Sequence, residues 1–153
     1  LDPCDDARCD GYVRFASPLP VGNAINDQVT MEWFTAQHSN GQSVNGKAPA
    51  VIVIHESGKS MTVGRLIAQS FGRCGHHAFL IHLPYYGQRR PPEGRPDGEQ
   101  LVAAVKQAIG DVRRAYDAVA ALPMVDSQSI SLQRTSLGGF VTATSAGLDC
   151  PFH

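Results

Sequence analysis

Five consecutive apolar residues, Ala50-Val51-Ile52-Val53-Ile54, constrain this chain more than any other feature. A strand that faces water on one side alternates apolar and polar side chains. An unbroken β-branched run belongs instead to a strand covered on both faces. A second such run, Ala78-Phe79-Leu80-Ile81, follows a segment in which Val63, Leu66, Ile67, Phe71 and Cys74 recur at helical spacing. Gly75 stands where that helix needs a residue able to leave it. A longer helical stripe runs through Leu101, Val105, Ile109, Val112, Tyr116 and Val119. Asp97 and Gln100 form a capping pair in front of it, and Pro123 marks its stop. A short strand over residues 129–133 leads at once into Ser136-Leu137-Gly138-Gly139 and an Ala/Thr-rich helix. Strand–helix alternation from residue 50 onward predicts βαβ units, hence an α/β fold with a mostly parallel sheet flanked by helices.

Ahead of this region, residues 12–16 and 28–35 read as strands that extend the sheet as an antiparallel edge. Residues 38–47 and 84–98 read as loops, and residues 1–10 as an irregular lead-in. At 153 residues the chain is expected to form a single domain over 1–153. With 42% hydrophobic and 18% charged residues it can build a core. A net charge of −1 gives no electrostatic reason to expect nucleic acid or an acidic membrane surface as partner. No apolar run approaches the length of a membrane span. Leu1-Asp2-Pro3-Cys4 is neither an initiator Met nor a signal peptide, and a processed mature end or a fragment would both explain it. A secreted or periplasmic setting is compatible with this, but the compartment is left open. Cys4 and Cys9 can pair locally or remain free thiols, and Cys74 and Cys150 fit buried thiols.

The segment richest in chemistry is Arg134-Thr135-Ser136-Leu137-Gly138-Gly139. A nucleophile elbow sets a serine on a sharp turn between strand and helix, with its hydroxyl above the sheet. Gly138 supplies the small residue such a turn needs after the serine. The helix start supplies N–H groups and a positive dipole end for a developing oxyanion, the N–H of Leu137 among them. The plainer role open to Ser136 is a helix N-cap.

Together with two other segments, this turn resembles the α/β-hydrolase superfamily, nearest its esterase and prolyl-oligopeptidase-like branches. The other segments are Ile52-to-Gly58 (IVIHESG) and Leu83-Pro84-Tyr85-Tyr86-Gly87, and the likeness runs from about residue 28 to 149. The resemblance implies hydrolysis of carboxylic esters, with peptides as a second substrate class, through an acyl-serine formed on Ser136. It implies a second oxyanion donor, a backbone N–H near Glu56 or Ser57, with His55 shaping that loop rather than acting as base. Tyr85 and Tyr86 either line a pocket or pack within their loop. No metal or organic cofactor is implied, and the partner is a small-molecule ester.

The sequence departs from the family in two ways. The pattern G-x-S-x-G has Arg134 in place of its first glycine, and a long side chain there is expected to strain the turn or swing it open. The family also places its acid and then its histidine after the serine, where residues 137–153 offer only Asp149 and His153. The chain is therefore expected to be the N-terminal, apparently truncated part of a hydrolase core, with catalysis impaired for want of an acid and a base. The alternative is a catalytically silent ligand-binding or fragmentary domain. Missing strands would leave a sheet edge unpaired, which invites self-association.

Two other constellations lead elsewhere. Gly58-Lys59-Ser60 follows a buried strand, but a phosphate-binding loop needs a glycine where Val53 stands. His76 and His77 are adjacent, so a strand points them to opposite faces, and no carboxylate cluster joins them or His82 into a metal site.

Overall fold

The computed structural model describes residues 1–4, 8–94, 96–136 and 139. The β-branched run becomes β3 (Ala48–Ile54), near the middle of a five-stranded sheet ordered β1-β2-β4-β3-β5. Its companions are β1 (Gly11–Ala16), β2 (Gln28–Phe34), β4 (His77–Ile81) and β5 (Val125–Arg134). β3 pairs in parallel with β4 on one side and β5 on the other, whereas β2 is antiparallel to both β1 and β4. Only β2 therefore runs against the other four strands, and the sheet is mostly parallel in direction. β5 is longer than the short strand expected from 129–133, because its first residues pair with Ala48 across an irregularity in the ladder.

Among the described residues α1 (Ala24–Asp27), α2 (Thr62–Arg73) and α3 (Gly98–Ala120) accompany the sheet. The period-2 alternation of β3 and β4 divides their apolar side chains between two layers. Ala50, Ile52, Ile54, Phe79 and Ile81 pack with Ala108, Val112, Ala115 and Val119 of α3. Val51, Val53, Ala78 and Leu80 pack with Ala68 of α2. Both faces are covered, as the continuous runs require. α3 begins with the expected capping box between Asp97 and Gln100.

Which helix faces turn inward was only partly evident from the spacing of large residues. α2 meets the sheet through Gly64, Ala68 and Gly72, while Val63 and Leu66 of the predicted stripe are 44% and 58% exposed. Small residues bring the helix axis close to the sheet, Ile67 and Phe71 pack beside them against the core, and Val63 and Leu66 are left outside. Likewise α3 buries Ala104, Gln107, Ala108, Asp111, Val112, Ala115 and Val119, and leaves Leu101 exposed. A β-carbon on Gly64 would lie 2.8 Å from Leu80 Cδ1 and 2.9 Å from His55 Cβ. Gly64→Ala gains about 1 kcal/mol of helix propensity, but overpacking at such a contact costs about 1–3 kcal/mol. A net loss of stability is expected in urea unfolding; a stabilised variant would mean that α2 does not sit so close.

Cys4 and Cys9 are joined in a disulfide, and Cys74 is an exposed free thiol rather than a buried one. The lead-in is tied to the sheet by an antiparallel bridge between Asp2 and Tyr12.

Candidate active site

Because β4, β3 and β5 run in parallel, the segments that follow them emerge on one edge of the sheet. There His55-Glu56-Ser57 lies between the turn after β5 and the loop after β4. β5 ends at Arg134, which stays in register with Ile54 and exposes its side chain. The Thr135 N–H then donates to the Ile54 carbonyl at 3.2 Å, next to His55. Ser136 breaks from the strand with a φ of 51°, a region that costs a non-glycine residue about 1–3 kcal/mol. Its carbonyl accepts from the Gly139 N–H at 2.8 Å, which closes a turn directly beyond the strand, and Ser136 itself is exposed. The departure from ordinary backbone geometry thus falls on the serine and not on Arg134.

The loop after β3 is stiffened from within. His55 is fully buried; its Nδ1–H donates to the Glu56 carbonyl and its Nε2 accepts from the Leu83 N–H at 3.2 Å. Burial lowers its pKa to about 4, against the opposing pull of the Glu56 carbonyl, so the ring is neutral near pH 7. With both nitrogens engaged, His55 links the ends of β3 and β4 and has no lone pair for proton abstraction. The Glu56 carboxylate accepts from the N–H groups of Val63 and Gly64 at 3.1 and 3.0 Å. This caps α2, whose own N-cap, Met61, offers no side-chain bond. Burial acts to raise the Glu56 pKa, but these backbone donors outweigh it and hold the carboxylate below its usual range. The Glu56 side chain is thereby committed to the helix, while Ser57 stands exposed beside it.

Tyr85 and Tyr86 follow β4 on the same edge. Tyr86 packs against His55, with ring centroids 4.8 Å apart. Tyr85 has a φ of 67°, and its N–H donates to Asn26 Oδ1 at 3.0 Å. Tyr85 also borders a cavity of about 280 Å³ with Asn23, Glu93 and Gln100. The loop is held from beneath by Arg89, whose guanidinium donates to the carbonyls of Asn26 and His82 and pairs with Asp111 at 2.8 Å. Arg89 and Asp111 are both fully buried, and Ser17 donates a further bond to Asp111 at 2.6 Å. Nothing in the sequence singles out Arg89 from Arg90: the one is sealed in, the other exposed.

A second buried ionic group sits nearby. Glu32 accepts from Arg65 Nε and Nη2, at 2.8 and 2.5 Å, and from His82 Nε2 at 3.0 Å. Burial pushes its pKa up, but the hydrogen bonds from His82 and Arg65 and the Arg65 charge prevail and bring it down to about 2. His77 Nδ1 accepts from Trp33 Nε1 and from the Ala36 N–H, so His77 within β4 and His82 just beyond it both have structural partners. Among the described residues no group of three His, Cys, Asp or Glu side chains is arranged to hold a metal ion. Leu137, Gly138, Asp149 and His153 lie outside the described residues.

No protein-family model and no curated protein matches the chain. Solved structures do. An α/β hydrolase, GrgF, from a Penicillium species superposes with a TM-score of 0.67 at 18% identity, over 91% of this chain and 42% of its own. Acetyl xylan esterase 1 from a Thermoanaerobacterium species gives 0.60 at 15%, over 97% and 50%. A lidless α/β serine hydrolase from Xanthomonas campestris gives 0.58 at 11%, over 90% and 55%. The chain has the α/β-hydrolase fold and spans about half the length of these structures. No helix of the described residues is long and apolar enough to cross a membrane.

Proposed function

We propose that this chain carries the nucleophile-bearing half of a serine hydrolase site for small carboxylic esters. The observation that supports this best is the left-handed φ of Ser136, set one residue beyond the strand pairing and beside the loop after β3. A serine that serves only as an N-cap adopts extended backbone, so strain at this position argues for a functional turn. The hydrolase and esterase names of the similar structures point the same way.

In this reading Ser136 Oγ attacks the ester carbonyl carbon as a base takes its proton. The N–H groups of Leu137 and of Glu56 or Ser57 receive the oxyanion, each donor contributing about 10²–10³ in rate. The carbonyl reforms as the C–O bond breaks, the alcohol leaves with the proton, and water then hydrolyses the acyl-serine. Gly138 lets the turn close tightly. His55 and Tyr86 position the oxyanion loop, and Tyr85 borders the space beside it. Of the five described histidines, His55, His77 and His82 are already held by other partners, and His38 and His76 lie beyond the end of β2 and before the start of β4, at the sheet edge opposite Ser136. The base and its acid are therefore assigned to sequence beyond Ser136.

A fluorophosphonate probe tests the nucleophile. Labelling is expected on Ser136 where the acid and base are supplied, is expected to be weak in residues 1–153 alone, and is expected to vanish in Ser136→Ala. A chain that is folded by circular dichroism yet takes no label would instead favour a catalytically silent ligand-binding domain.

A further inference from the structure

Asp2 of the lead-in pairs on the outer edge of β1, the terminal strand among the described residues. The Asp2 N–H donates to the Tyr12 carbonyl at 2.9 Å, and the Tyr12 N–H donates back to Asp2 at 2.7 Å. The fit is close: a β-carbon on Gly11 would lie 2.9 Å from the Asp2 carbonyl oxygen. The Asp2 carboxylate also pairs with the Arg14 guanidinium, which reaches Gln88 Oε1 at 3.0 Å through its other terminal nitrogen. Gln88 in turn donates its N–H to His82 Nδ1 at 3.1 Å, in the loop after β4. One contiguous set of contacts thus runs from the lead-in to the candidate active-site edge. At its far end the lead-in is anchored by the Asp10 N–H on the Trp33 carbonyl at 2.9 Å, by the Thr35 N–H on the Asp10 carboxylate at 2.7 Å and by packing of Cys9 against the core. Asp2, by contrast, meets β1 through two backbone hydrogen bonds and an exposed ion pair. The Cys4–Cys9 disulfide supplies a further constraint by closing the segment on itself.

We propose that the Cys4–Cys9 disulfide is a redox-sensitive latch that holds the lead-in across β1 and, through Asp2, Arg14 and Gln88, braces the loop after β4. A dithiol reductant opens it. One thiolate attacks a cysteine sulfur, the S–S bond breaks, and the second thiol resolves the mixed disulfide. Two electrons and two protons pass to Cys4 and Cys9, and the reductant leaves as its own disulfide. The latch is closed in an oxidising compartment and open in a reducing one.

Amide hydrogen exchange on the full chain, with and without dithiothreitol, reads the latch directly. On reduction the Tyr12 amide is expected to exchange at least about tenfold faster, the Gln88 amide to accelerate with it, and Val51 to Val53 in β3 to stay protected. Cys4→Ser/Cys9→Ser is expected to reproduce this without reductant, which separates the effect from the free thiol of Cys74. Unchanged protection of Tyr12 overturns the latch. Acceleration at Tyr12 with none at Gln88 overturns its link to the active-site edge, and loss of protection in β3 as well would mean general unfolding rather than a latch.

Discussion

Asp111→Ala is expected to lower the stability of the fold by about 3–5 kcal/mol, because it strands the Arg89 guanidinium in the core. Both groups are fully buried, and burial drives them in opposite directions, raising the Asp111 pKa and lowering that of Arg89. Their mutual attraction opposes each shift, so removal of one partner leaves desolvation of the other uncompensated. Ser17 would also lose its acceptor. Asp111→Asn keeps one oxygen, which can accept from Arg89, and an amide N–H that can donate to Ser17 Oγ, and it is expected to cost less than the alanine variant. Urea unfolding followed by circular dichroism gives both values. A cost below about 1 kcal/mol for Asp111→Ala, typical of an exposed pair, would show that the guanidinium is solvated after all. Since Arg89 holds the carbonyls of Asn26 and His82, the damage should spread to the loop that carries Tyr85 and Tyr86.

Acid is expected to unfold the protein in two stages. His55 and Glu32 both have folded-state pKa values below their ordinary ones, about 4 against 6.5 and about 2 against 4.5. In each window the unfolded chain binds a proton that the folded chain resists, so stability falls as pH falls. The His55 contribution is complete above about pH 6.5 and is lost on the way to pH 4; that of Glu32 is lost between about 4.5 and 2. At about 1.4 kcal/mol per pH unit, each contributes roughly 3 kcal/mol over its window. Melting temperatures measured from pH 7.5 to 3 should fall through both. Glu32→Gln should flatten the lower stage and leave the upper one in place. A melting temperature that stays level between pH 6.5 and 4.5 would mean that His55 is not the buried neutral ring described here.

The strands and both long helices were legible because their signals are local. A strand covered on both faces cannot hide a polar residue, so 50–54 and 78–81 announce themselves, and the Asp97–Gln100 box spans one turn. The predicted stripes match the inward faces in part: Val112 and Val119 of α3 are buried and Ile109, Tyr116, Ile67 and Phe71 pack against the core, but the closest approach of α2 is made by small residues. Large apolar residues at helical spacing define a stripe, but the sheet selected the small ones, Gly64, Ala68 and Gly72, because closeness of approach governs packing there. Arg134 was expected to strain the turn or swing it open; it is exposed and stays in strand register with Ile54, and the left-handed φ falls on Ser136, two residues later.

By itself, the sequence determined the α/β class, the strand-to-turn setting of Ser136 and the segments that could accompany it, because each is written in a short stretch of residues. Only the tertiary structure decided that the segments after β3, β4 and β5 share one edge, that His55 has both nitrogens occupied, and that Arg89 rather than Arg90 enters the core. It alone also paired Glu32 with Arg65 and Cys4 with Cys9. These pairings depend on strand order and on which side chains lose contact with water. Local spacing carries neither.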